Sequence, residues 1–150
     1  MPSWFKILCA VDFSESSRVA LQHAADLAQR FGAELLLVHV REGPRTPEAQ
    51  ITAPPELAEA EAEELRRKLD GWRAEAARLA QRPVKAVLEA GPPAAEIVRV
   101  AAAEKCDLVV TGTHARKGLR HLLLGSVAER VAREAPCPVL VARTPPEWGD

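Results

Sequence analysis

Short apolar runs alternate with amphipathic stretches along the 150-residue chain. The apolar runs predict five buried strands, at residues 5–11, 34–40, 84–89, 108–111 and 138–142. Between them, apolar residues recur at helical spacing, as in the stripe of the first helix, which comprises Ala20, Leu21, Ala24, Leu27, Ala28 and Phe31. This alternation is typical of an α/β protein with one parallel sheet and helices on both faces.

The predicted helix ends carry capping residues. Ser14 is positioned to cap the first helix, and Gly32 is positioned to end it in a left-handed conformation. The last helix is predicted at residues 126–135. Its first residue, Ser126, has the spacing of a capping box with Glu129, which would explain the serine without any ligand.

The topology of such a sheet predicts where a ligand binds. Right-handed crossovers limit the topology, and we expect the strand order 3-2-1-4-5 in a single open, doubly wound sheet. The winding then reverses once, between the first and fourth strands, and ligands of these folds bind beyond the carboxyl ends of the strands at that reversal. Two loops meet there, at residues 12–14 and 112–126.

The second loop has the residues of a phosphate site. It opens with Gly-Thr-His-Ala at residues 112–115 and closes with Gly-Ser at residues 125–126, where the last helix begins. Free backbone N–H groups and the helix dipole favour an anion at such a helix N-terminus. The basic residues of this loop, which are Arg116, Lys117, Arg120 and His121, either screen phosphate charge or belong to a solvated, mobile loop.

Composition restricts the function classes. A formal net charge of -1 gives no overall electrostatic reason to expect nucleic acid or an acidic membrane as a partner. Cys9, Cys106 and Cys137 are odd in number and widely spaced, so we expect buried reduced thiols rather than a disulfide framework or a metal site. The sequence has no evident signal peptide and no stretch long enough to span a bilayer, so we expect a cytoplasmic protein.

Motifs from Lys6 to Arg143 resemble the universal stress protein family. They are Ala-Val-Asp-Phe-Ser at residues 10–14, Val-His-Val at 38–40, Gly-Pro at 91–92, Leu-Leu-Leu-Gly-Ser-Val-Ala at 122–128 and Ala-Pro-Cys-Pro-Val-Leu-Val at 135–141. The resemblance implies a Rossmann-like fold of the adenine nucleotide alpha-hydrolase type in one domain, residues 1–143, with a flexible tail at residues 144–150. It also implies a homodimer that pairs through the last strand, which begins at Pro138, ends at Ala142 and would otherwise be an exposed apolar edge.

In the family that this chain resembles, the members that bind ATP carry the pattern G-x2-G-x9-G-(S/T) after the fourth strand. The pattern here is Gly112, Ala115, Gly125 and Ser126, so that every element except the second glycine is present. If that position requires a positive φ, the Cβ of Ala115 costs roughly 1 kcal/mol. The resemblance implies ATP as the ligand, accompanied by Mg²⁺. The residues implied to bind the nucleotide are Ala10, Asp12, Val40, Thr111, Gly112, His114, Ala115, Gly125, Ser126, Val127 and Ala128.

Four of these residues have an alternative structural role. By resemblance Asp12 accepts a hydrogen bond from the ribose or adenine side of the nucleotide, but it is also placed to be a turn carboxylate before the first helix. Gly112 and Gly125 let the backbone approach a phosphate, form turns, or do both. Ser126 is placed to contact phosphate, to cap the last helix, or to serve both purposes.

Three functions are consistent with the sequence. The leading hypothesis is an ATP-binding regulatory module of the stress response, whose nucleotide sets its conformation or its choice of an unknown protein partner. The second is a dimeric interaction protein that does not use nucleotide, which Ala115 favours. The third is a weak ATPase. Because no P-loop, nucleophile elbow or catalytic triad can be assembled, we assign no catalytic or metal-binding residue and expect at most slow hydrolysis.

Overall fold

The computed structural model describes residues 4–42, 55–113 and 125–144. Its strands are β1 Lys6–Ala10, β2 Glu34–Arg41, β3 Lys85–Ala90, β4 Leu108–Gly112 and β5 Val139–Ala142. The helices of the described residues are α1 Glu15–Phe31, α2 Pro55–Ala80, α3 Pro93–Ala103 and α4 Ser126–Glu134. The five predicted strands and the last helix differ from these bounds by at most one residue at each end. Residues 145–150 of the predicted tail lie outside the described residues.

The sheet has the predicted order, β3-β2-β1-β4-β5, and its strand pairs are parallel. β1 lies at the centre, where Cys9 is opposite Leu37 on one side and Val110 on the other. Parallel neighbours need a crossover, and helices supply it. Since the winding reverses between β1 and β4, the carboxyl ends of these two strands lie side by side, which confirms the predicted position of the switch point.

Two apolar layers cover the sheet. Successive side chains of a strand point to opposite faces, so Ile7 and Cys9 pack beneath α1 and α2, whereas Leu8 and Ala10 pack on the α3 and α4 side. Burial on both faces explains why the strands appear in the sequence as continuous apolar runs instead of alternating ones.

Both ends of α1 are capped as predicted. Ser14 is extended (φ -81°, ψ 168°), and its hydroxyl accepts a hydrogen bond from the Ser17 N–H at 3.2 Å. Gly32 is left-handed (φ 65°, ψ 30°), and its N–H donates to the carbonyl of Ala28. The side chain at one end and the glycine at the other satisfy backbone groups that a helix leaves without intrahelical partners.

Two phenylalanines that were expected in the core lie at the surface. Phe5, predicted within the first buried strand, is 72% exposed, although its N–H donates to Asp107 Oδ2 at 2.9 Å. Phe31, predicted in the apolar stripe of α1, is 41% exposed and meets the ring of Trp4 edge-on at 5.1 Å between centroids. Phe5 lies one residue before β1, and Phe31 is the last residue of α1. Apolar spacing identifies the face of an element but not how far the opposing layer extends to cover it.

The three cysteines are free thiols, as predicted. Cys9 is fully buried in β1, Cys106 is buried before β4, and Cys137 is half-buried before β5. Burial raises the pKa of Cys9 to about 12 and is the main cause that raises the pKa of Cys106 to about 11. The expectation of buried thiols is therefore correct for two of them and only partly correct for Cys137.

α2 is the longest helix of the described residues, with 26 residues. Its inner side buries Leu69, Trp72 and Ala76, while Leu65 and Leu79 are half-buried. Its outer side is charged. Among the described helices, none is both long and apolar enough to cross a membrane.

Candidate functional site

The carboxyl ends of β1 and β4 bring the predicted site residues together. Cys9 is opposite Val110, so the same register places Ala10 beside Thr111 at the carboxyl edge of the sheet. β2 flanks β1 on its other side and ends one residue after Val40. α4 begins at this same edge, because it follows β4 and must return the chain to the opposite edge, where the parallel strand β5 begins.

Nine of the eleven predicted site residues are described, and His114 and Ala115 lie outside the described residues. Ala10 and Val40 pack their side chains into the layer on the α3 and α4 side, so they offer a ligand only backbone groups. Thr111 is buried as well. The side chains and backbone donors that remain come from the turn after β1, the end of β4 and the start of α4.

Asp12 is exposed directly after β1. Its Oδ1 accepts a hydrogen bond from the Ser14 N–H at 2.9 Å, which closes a turn before α1. The alternative role predicted for this residue, a turn carboxylate, is therefore present. A carboxylate accepts several hydrogen bonds through its two oxygens, so the turn contact is compatible with a second role toward a ligand.

Two serines that the sequence analysis did not identify secure this turn. The buried Ser17 Oγ accepts from the Asp12 N–H at 3.3 Å and donates to the Ser14 carbonyl at 3.1 Å. Ser16 is also buried, and its Oγ lies 3.3 Å from that of Ser14. The available sequence signal was the serine cluster at residues 14–17, where short hydroxyl side chains are suited to bonding with the nearby backbone.

Gly112 ends β4 against the first turn of α1. A Cβ at this position would lie 2.7 Å from both the carbonyl carbon and the Oγ of Ser16. The carbonyl carbon belongs to the backbone of a buried turn, so it has little freedom to move aside. The glycine is therefore required by packing between β4 and α1, a reason that differs from the predicted phosphate approach and turn formation.

Gly125, not Ser126, caps α4. Gly125 is extended (φ -70°, ψ 161°), and its carbonyl accepts the N–H of Glu129 at 3.0 Å. The predicted capping box is wrong, because Glu129 follows the cap by four residues and a capping box needs three. Glycine has no side chain to accept from the first-turn N–H groups, so α4 begins without a side-chain cap. The N–H groups of Ser126, Val127 and Ala128 thus form a helix terminus that favours anions.

Comparison with known proteins associates this arrangement with one family. The family model described as Universal stress protein family matches residues 4–143. A universal stress protein of Thermus aquaticus is 40% identical to this chain over 141 residues, which cover 91% of this chain and 97% of that relative.

Solved structures give the same association. The universal stress protein UspA from Lactobacillus plantarum superposes with a TM-score of 0.82 at 27% identity, covering 95% of this chain and 100% of its own. The universal stress protein from Archaeoglobus fulgidus, solved in complex with dAMP, superposes with a TM-score of 0.65 at 26% identity, covering 94% and 99% of the two chains. The Archaeoglobus relative therefore binds an adenine nucleotide.

Proposed function

Because this chain belongs to the universal stress protein family, we propose that it binds ATP at the carboxyl ends of β1 and β4. The bound nucleotide sets the conformation of the protein or its choice of a protein partner, so that the protein acts as a regulatory module of the stress response. The dAMP complex of the Archaeoglobus relative supports an adenine nucleotide as the class of ligand.

The observation that carries this proposal is the opposite polarity of two groups at one edge of the sheet. On the β1 side, the exposed carboxylate of Asp12 is an acceptor, which suits the hydroxyls of ribose or the amino group of adenine. At the start of α4, the uncapped N–H groups after Gly125 are donors, which suit phosphate oxygens. A nucleotide has hydrogen-bond donors at one end and anionic oxygens at the other, so it complements both groups.

The proposed contacts divide between the two ends of the nucleotide. Asp12 and the backbone of Ala10 and Val40 contact the adenosine. The phosphates lie against the loop after β4 and the start of α4, whose predicted contacts are Thr111, Gly112, His114, Ala115, Gly125, Ser126, Val127 and Ala128. In the described ranges, no group of three or more His, Cys, Asp or Glu is arranged to hold a metal. We propose that the phosphate oxygens of the nucleotide would hold an accompanying Mg²⁺.

Thermal unfolding with and without ATP and Mg²⁺ tests the proposal. A ligand at about 100 times its Kd stabilises the folded protein by roughly 2.7 kcal/mol, so the midpoint should rise. Gly125→Val should abolish the rise, because a branched side chain at the N-cap leaves a phosphate less room to approach the first-turn N–H groups of α4. Gly125 is in an ordinary extended conformation that valine also adopts, so the substitution introduces no backbone strain at this residue. A midpoint that rises equally in the variant would contradict the proposed phosphate contact.

A nucleotide-independent dimer is the second candidate, and the half-buried edge strand β5 supports it. Val139, Leu140 and Val141 are partly exposed on a strand that is paired on one side, with β4. An apolar edge of this kind invites pairing with another strand, and a second copy of this chain would supply one. Sedimentation should detect a dimer in the parent protein and a monomer or aggregate in Leu140→Lys. An unchanged dimer in the variant would exclude β5 as the interface.

We propose no fast catalysis and a cytoplasmic location. The three free thiols suit a reducing compartment. Any ATP hydrolysis should be slow and should fall in Asp12→Ala. Turnover that is equal in the parent and this variant would have its origin in a contaminant.

A further inference from the structure

Phe13 has a backbone conformation that phenylalanine rarely adopts. Its φ is 66°, in the left-handed region, and it lies between Asp12, the proposed ligand contact, and Ser14, the N-cap of α1. In this region the Cβ of an L-residue crowds the neighbouring carbonyl oxygen, so glycine, asparagine and aspartate are the usual occupants. Strain of this kind persists only where the surrounding contacts enforce it.

Three side chains from two other elements hold the Phe13 ring. His39 of β2 packs against it at 4.4 Å between ring centroids, and Trp72 of α2 meets it edge-on at 5.3 Å. Lys68 of α2 places its Nζ 4.8 Å from the ring centroid, which is a cation–π contact. The ring is therefore anchored to the sheet and to α2 at once.

The partners of the ring are themselves fixed. His39 Nδ1 lies 2.7 Å from the carbonyl oxygen of Val11, and because that oxygen only accepts, Nδ1 carries the proton and donates it. The guanidinium of Arg18 lies 4.4 Å from the centroid of the Trp72 ring and pairs with Glu75. The first contact joins β2 to the residue after β1, and the second joins α1 to α2, so the turn between β1 and α1 is held from both of its ends.

We infer that Phe13 is a positioning residue for the nucleotide, because its clamped ring holds its backbone left-handed and thereby fixes the direction of the Asp12 carboxylate. This inference rests on the proposed function, which assigns the ligand contact to Asp12. The hydrogen bond from the Ser14 N–H to Asp12 Oδ1 spans Phe13 and depends on this backbone conformation. Without the ring, the backbone relaxes to a negative φ, and the apparent affinity falls with the fraction of molecules that keep the carboxylate in place.

The test separates the ring from the backbone by comparing Phe13→Ala with Phe13→Gly in the full chain. Both variants lack the ring, but glycine adopts a positive φ without strain and alanine does not. Titration calorimetry with ATP and Mg²⁺ gives Kd for each. We expect Phe13→Ala to bind about tenfold more weakly than the parent, the factor that corresponds to left-handed strain. Phe13→Gly should stay within about threefold of the parent, because glycine loses only some conformational freedom.

Leu79→Ala is the matched control. Leu79, like Phe13, is half-buried and packs against the core cluster beneath α1 and α2, but it lies in the last turn of α2. Its truncation should lower the thermal midpoint measured without ATP and leave Kd within about twofold of the parent, since distant sites act independently. The control therefore shows whether any loss of packing in this core weakens binding.

Three results would overturn the inference. Phe13→Ala could bind as tightly as the parent, Phe13→Gly could bind as weakly as Phe13→Ala, or Leu79→Ala could lose as much affinity as Phe13→Ala. A parent protein that binds no ATP would remove the proposed function and the inference with it. The parent titration alone therefore distinguishes a failure of the proposed function from a failure of the inference.

Discussion

The unit of β1 and α1 is more deeply buried and more completely capped than the unit of α4 and β5. Ile7, Leu8 and Cys9 in β1 are fully buried, and α1 has a side-chain cap at Ser14 and a glycine at its other end. In contrast, α4 begins without a side-chain cap, and the first three residues of β5 are half-buried.

This difference indicates which parts of the molecule keep backbone groups available for a ligand or a partner. The backbone groups of the first unit are paired, in β1 by β2 and β4 and at the two ends of α1 by its caps, so this unit is a platform for the turn that carries Asp12. The second unit leaves a helix terminus and a strand edge, which are the two kinds of surface that an anion and another strand bind. Both proposed interactions of the protein, with nucleotide and with a second copy, use the less self-contained unit.

The largest expected difference between the two units is in the alkylation rates of their cysteines, Cys9 in β1 and Cys137 before β5. The thiolate is the reactive species, and burial raises the pKa of both thiols. The pKa of Cys9 rises to about 12, so that thiol stays protonated and covered at pH 8, whereas Cys137 is only half-buried. We expect alkylation of Cys137 to outpace that of Cys9 by roughly a thousandfold or more, since Cys9 reacts only when the fold opens. Peptide mapping by mass spectrometry measures both rates. Equal rates would mean that β1 is no better protected than the segment before β5.

A smaller effect concerns the contact of β4 with the platform at Gly112. Gly112→Ala places a Cβ 2.7 Å from Ser16, and overpacking of this kind lowers the free energy of unfolding by about 1–3 kcal/mol. Gly71→Ala is the control, because nothing lies within 4 Å of its Cβ position in α2. There alanine should raise stability by about 0.5–1 kcal/mol. Urea unfolding measures both changes, and a neutral Gly112→Ala would show that α1 yields at this contact.

The smallest effect compares the serines at the two helix starts. Ser14→Ala removes a cap and should cost about 1 kcal/mol in the free energy of unfolding. Ser126→Ala changes an exposed residue inside α4 and should stay within about 0.5 kcal/mol of the parent. The same urea titrations measure these changes. If Ser126→Ala cost as much as Ser14→Ala, the two helix starts would be equivalent and the comparison would fail.

The candidate site could be predicted from the sequence in position but not in detail. The switch point followed from the strand order. Gly125 and Asp12 were named because a glycine before a helix and an acid after a strand are local signals of a binding site. Ser17 was not named, and Phe13 was named only as part of the motif at residues 10–14, without a role. The hydrogen bond from the Asp12 N–H to Ser17 Oγ depends on how the turn folds, and the left-handed conformation of Phe13 depends on rings from β2 and α2.

The sequence by itself determined the alternation of elements, the parallel sheet and the edge of that sheet where the proposed site lies. Apolar periodicity is a local property of the chain, and the handedness of crossovers follows from the chirality of its residues. Only the tertiary structure decided that Gly112 is required by Ser16, that Gly125 caps α4 and that Phe5 is exposed. These outcomes depend on local backbone geometry or on contacts between residues distant in the chain, and spacing along a sequence encodes neither of them.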